Sequence, residues 1–168
     1  MLTKNDIAAT DWNTLRDTQY LVGLATLVSG SSGLGTIREA IALAQGIMEN
    51  QSSEVPFIRD LTSRPEMQAS QSAMRQRLGG PEASPAPDRL QRLALDHVLS
   101  SLSILKTKAT AEETQAYKKL IFGLAENVAN AAKEGGFMGF GGTRVSAGEQ
   151  TFLDQLQDTL QLERVKRA

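Results

Sequence analysis

The sequence predicts an all-α protein, a single-domain helical bundle of five to seven helices. Three observations predict it. Apolar residues recur at steps of three and four in one stretch after another. Strand signals are nearly absent: Val, Ile and Thr never alternate over a sustained run, and aromatics make up 5% of the chain. Three Thr/Ser-x-x-Glu boxes, Thr36 with Glu39, Thr110 with Glu113 and Ser146 with Glu149, stand where helices would begin.

The first helix is expected over Asp11 to Val28. Leu15, Val22 and Ala25 form one line, and Leu21, Leu24 and Val28 another. Both faces are apolar in its C-terminal half, which places it at the centre of the bundle. The second starts at Thr36 and runs through Ile37, Ile41, Leu43 and Ile47 to about Asn50.

The next stretch, 51–88, reads as a proline-rich, weakly structured insertion, because all five prolines lie between Pro56 and Pro87. Short helices fit Glu54 to Thr62 and Pro65 to Leu78, the latter capped by Ser63 and Glu66. Met67, Met74 and Leu78 are its sparse anchors.

A longer helix spans Asp88 to Lys106. Leu90, Leu93, Ala94, Val98 and Leu105 share a face, and Leu95, Leu99 and Leu102 widen it. The short connection Thr107 to Thr110 favours antiparallel packing on its successor. That successor, Ala111 to Glu134, carries Tyr117, Leu120, Ile121, Leu124, Val128 and Ala131 on one stripe, and Gly135 and Gly136 stop it. The last helix starts at Ser146 and carries Phe152, Leu153, Leu156 and Leu160.

The 168 residues suffice to bury a core, and 40% apolar with 22% charged residues is the composition of a folded domain. A net charge of -1 gives no overall field for nucleic acid or an anionic membrane. The arginines near the prolines, Arg64, Arg75, Arg77, Arg89 and Arg92, are diluted by Glu66, Glu82 and Asp88. No nucleic acid is therefore expected as a partner. The first ten residues do not read as a signal peptide, and Leu21 to Val28 is too short to span a bilayer. Together with the absence of cysteine, these features point to the cytoplasm.

Candidate chemistry is sparse. Zinc sites draw mostly on cysteine and histidine, and the chain has no cysteine and one histidine, His97. A di-iron bundle needs two Glu-x-x-His motifs, and none occurs. His97 shares a face with Leu90, Leu93 and Ala94, which suits a hydrogen-bonded histidine at the rim of the core. No P-loop or nucleophile elbow is present. No catalytic residue, metal ligand or cofactor is assigned, and the non-enzymatic reading is favoured.

The least ordinary feature is the loop Gly135, Gly136, Phe137, Met138, Gly139, Phe140, Gly141, Gly142. It is the candidate interaction loop. Its large apolar side chains either plug the end of the bundle or present a tip to an unknown protein partner, a second copy included. The alternative function is small-ligand or anion binding by 135–146 at a helix N-terminus, with Arg144 and Ser146 as contacts.

Two segments share one grammar: an apolar helix, a Gly-rich loop, then a capped helix opening at Thr36-x-x-Glu39 or at Ser146-x-x-Glu149. A pair of pseudo-repeated hairpins would produce this pattern, as would any two helix–loop–helix units. The arrangement resembles the TerB-like helical proteins of tellurite resistance. That resemblance implies an all-helical fold and a stress-response setting. The family's acidic Asp-Gly step is replaced here, so only Glu39 and Glu149 carry over. The stretch Lys133 to Gly142 with Val145 and Ser146 also resembles uncharacterised bacterial all-helical proteins.

Overall fold

A computed structural model describes residues 1–30, 36–78, 86–133 and 145–162. Among them are seven α-helices and no strand: α1 Ala9–Ser29, α2 Thr36–Glu49, α3 Pro56–Leu61, α4 Arg64–Leu78, α5 Pro87–Lys108, α6 Ala111–Lys133 and α7 Ala147–Leu160. The architecture is the all-α bundle that the apolar spacing predicts.

α1 is the axis of the molecule. It packs against α2, α4, α5, α6 and α7. Burial is unbroken from Leu15 to Gly23 and resumes at Ala25 and Thr26. The polar residues Arg16, Asp17, Thr18 and Gln19 are therefore buried along with the apolar ones.

α5 and α6 turn back on each other across Ala109–Thr110, as Ser101 meeting Tyr117 at 3.0 Å records. α5 nevertheless packs mainly on α1, and α6 on α2 and α1, rather than on each other. Leu90, Ala94, Val98 and Leu105 are buried, whereas Leu99, expected to widen the face, is 56% exposed. The stripe on α6 is buried from Tyr117 to Val128.

The helix starts follow the sequence. Thr110 Oγ1 accepts from the Glu113 N–H at 3.1 Å, and Glu113 Oε2 accepts from the Thr110 N–H at 2.9 Å. Ser146 and Glu149 repeat this reciprocal box at 3.2 and 2.8 Å. The Thr36–Glu39 side chains lie outside the described residues. Glu66 does not cap α4 with Ser63; its carboxylate reaches Lys4 and Arg16 instead.

The proline-rich region carries more of the core than its sparse anchors predict. Phe57, Ile58 and Leu61 of α3 are buried, with Pro56 pre-setting the first helical turn. The Phe57 ring packs edge-on against Trp12, centroids 6.2 Å apart, and lies 6.3 Å from Tyr117. Aromatic contacts of this kind add about 0.5–1.5 kcal/mol beyond the area they bury.

α1–α2 and α6–α7 each pack together. Across them α2 meets α6 extensively, while α7 meets α1 over a smaller area. At the α1–α7 junction a Cβ on Gly148 would stand 2.5 Å from the Ser29 carbonyl oxygen, so only glycine permits that approach.

Candidate functional site

Two regions gather polar side chains: a buried network around α1 and an open groove between α2 and α6.

The network begins at Arg16, whose Nε donates to Asp17 Oδ1 at 2.8 Å and whose Nη1 donates to Glu66 Oε2 at 3.4 Å. Lys4 Nζ donates to the other Glu66 oxygen at 2.5 Å. Burial alone would raise the Glu66 carboxyl, but Lys4, Trp12 and Arg16 outweigh it and hold it below the ordinary glutamate value. The Trp12 indole N–H contributes to this although it lies outside hydrogen-bond geometry.

One layer further along, Tyr117, Ser101 and Thr18 share hydroxyl bonds of 3.0 Å, and Thr18 donates to the Thr14 carbonyl at 2.7 Å. Tyr117 also reaches the Leu15 carbonyl at 3.0 Å, so its one proton is shared between that carbonyl and Ser101, while Thr18 spends its own on the Thr14 carbonyl. Burial pushes the Tyr117 phenol well above its usual value, so it remains a hydroxyl. These groups are engaged with one another; they pin α1 to α4, α5 and α6.

The groove opens between α2 and α6, with a volume of about 430 Å³. Ile41, Gln45 and Glu49 line it from α2, and Asn127, Asn130 and Ala131 line it from α6. Ala42 and Gly46 form its floor. Here the helices meet closely, because a Cβ on Gly46 would fall 2.8 Å from Leu124 Cδ2 and 3.0 Å from Asn127 Nδ2.

Asn127 also belongs to a second depression of about 270 Å³, lined by Asn50, Ser53 and Ile58 on one side and Ala116, Lys119 and Gly123 on the other. Above Gly123 the space is open: a Cβ there would meet no atom within 4 Å. Ile41 is 50% exposed at the rim, and Met48, on the same helix, is 51% exposed. The groove thus combines amides that can both donate and accept, a small-residue floor and an apolar rim.

The candidate loop residues Gly135, Gly136, Phe137, Met138, Phe140, Gly141 and Gly142 lie outside the described residues, as does Arg144. Ser146 is described, and its hydroxyl is occupied as the cap of α7. The Glu149 carboxylate sits at the same helix start, with Oε2 on the Ser146 N–H and Oε1 buried without a partner. Its negative charge opposes an anion there. His97 lies at the rim of the core, where Arg77 Nη1 donates to its Nε2 at 2.6 Å.

Among the described residues no three His, Cys, Asp or Glu side chains gather as a metal site. No helix in that set is long and apolar enough to cross a membrane. The groove amides escaped sequence reasoning because they sit on the polar side of well-formed helices. Gly46 and Gly123, two glycines inside helical runs, were the available signal.

Comparison of the chain with protein-family models, with curated proteins and with solved structures gives no match.

Proposed function

We propose that this chain is a non-enzymatic protein-interaction module of the cytoplasm, and that its α2–α6 groove takes a polypeptide segment of a partner protein. The carrying observation is the groove's chemistry. Gln45 and Asn127 present donors and acceptors together, which is what the backbone of a bound segment demands. Ile41 offers apolar contact at the rim, and in the second depression, which shares Asn127 with the groove, the open space over Gly123 lets a main chain approach α6 closely. The ionisable groups of the α1 network are satisfied by one another, which suits a scaffold better than a reaction centre. A stress-response setting rests on the TerB-like resemblance.

The test is quantitative capture with three folded proteins: the wild type, Ala42→Arg and the double variant Phe137→Ser/Phe140→Ser. Ala42→Arg fills the groove floor with a long charged side chain. The reading expects a partner held by the wild type to be lost by Ala42→Arg and kept by the double variant. Equal capture by all three would overturn it. Loss confined to the double variant would move the contact to the glycine-rich loop.

A further inference from the structure

The attachments of α4 to the bundle are largely polar. Its inner side buries Met74 together with Glu66 and Ser70, and its other apolar contacts, Met67, Ala73 and Leu78, are half-buried. Three polar attachments hold it. Glu66 is clasped by Lys4 and Arg16 near its start. Gln71 Nε2 donates to the Tyr20 hydroxyl at 3.2 Å in its middle. Arg77 Nη1 donates to His97 Nε2 at 2.6 Å in its last turn, joining α4 to α5. Ser70 Oγ is buried with no partner, and so is Gln19 Oε1 of α1, the helix on which α4 lies. A helix held mainly by charge and hydrogen bonds has a docking energy that follows protonation.

The Arg77 bond requires one protonation state. A guanidinium only donates, so Nε2 must offer its lone pair and the ring proton must sit on Nδ1. Nδ1 is buried and has no acceptor. A second proton on Nε2 would remove the lone pair and set two cations face to face.

The charges acting on His97 are Arg77 from α4, Asp17 from α1 and Asp96 on its own helix. Asp17 is already engaged by Arg16. Burial, and then the Arg77 charge, hold the imidazole below its ordinary value of 6.5, outweighing both aspartates.

We propose that α4 is a pH-released strap: protonation of His97 breaks its bond with Arg77 and frees the C-terminal end of α4 from α5, while the Glu66 clasp keeps the other end on α1. The released side chains carry like charges, so the end stays off until the proton leaves. This device is independent of the groove and of any partner.

The chain's one histidine makes the experiment clean. The His97 ring C–H signal is followed by NMR from pH 8 to 5 on the full chain, alongside amide hydrogen exchange corrected for intrinsic rates. On passing below the His97 midpoint, amides from Met74 to Leu78 should exchange about tenfold faster, while those of α6 keep their protection. His97→Gln keeps a neutral acceptor for Arg77 and should remove the pH dependence. Arg77→Gln should leave the end of α4 fast at both pH values and bring the His97 midpoint up toward 6.5. Titration of His97 with unchanged exchange at 74–78 would overturn the proposal. So would the same acid-induced opening in Arg77→Gln, which is the arm that decides if His97→Gln does not fold.

Discussion

Gly123 and Gly148 are the same residue type under opposite demands. A Cβ on Gly123 meets open space, whereas one on Gly148 meets a backbone oxygen at 2.5 Å that cannot give way cheaply. Gly123→Ala should stabilise the protein by about 0.5–1 kcal/mol, the helix cost of glycine relative to alanine. Gly148→Ala should destabilise it by about 1–3 kcal/mol through overpacking. Urea unfolding of both variants measures the difference in sign. Tyr117→Phe removes a fully buried hydroxyl that lies 3.0 Å from the Leu15 carbonyl and from Ser101. It should cost about 1–2 kcal/mol in the same assay. The sequence distinguishes neither glycine from the other, because what separates them is a neighbour distant along the chain.

The helices themselves were legible in the sequence because their signals are local. Ser146 and Glu149 form their box as their spacing requires, and so do Thr110 and Glu113. Thr110→Ala and Ser146→Ala should each lower stability by about 1 kcal/mol. Glu113 does more than cap: its second oxygen accepts from the Leu2 N–H at 2.6 Å and so ties the start of the chain to α6. Burial pushes the Glu113 carboxyl up, but the Thr110 and Leu2 N–H groups hold it below the ordinary value of 4.5. Glu66 is depressed in the same sense. A depressed carboxyl contributes stability above the ordinary value, and that contribution is lost as pH falls through the folded-state value. Chemical unfolding at stepped pH should therefore weaken below about pH 4.5, and Glu113→Gln should flatten part of that fall. How α4 is fastened was not legible. Its few apolar residues suggested weak anchoring, and nothing local told that Arg16, fifty positions away, would reach Glu66.

At the scale of the molecule, centrality explains both what the sequence predicted and what it missed. The apolar lines of α1 foretold a buried axis, and α1 touches five other helices. The same encirclement buries Arg16, Asp17, Thr18 and Gln19, whose polarity alone would place them in solvent. They are tolerated because α4 and α5 bring hydrogen-bond partners to Arg16 and Thr18. The proposed docking face lies apart from this axis, between α2 and α6, where Gln45, Asn127 and Ile41 line the groove. Site-specific photo-crosslinking tests that assignment most directly, with one photoreactive residue placed at Gln45 and, separately, one at Ser100 on the exposed side of α5. Groove docking predicts a defined adduct with a partner protein from position 45 and none from position 100. The same adduct from both positions, or an adduct from position 100 alone, would contradict it.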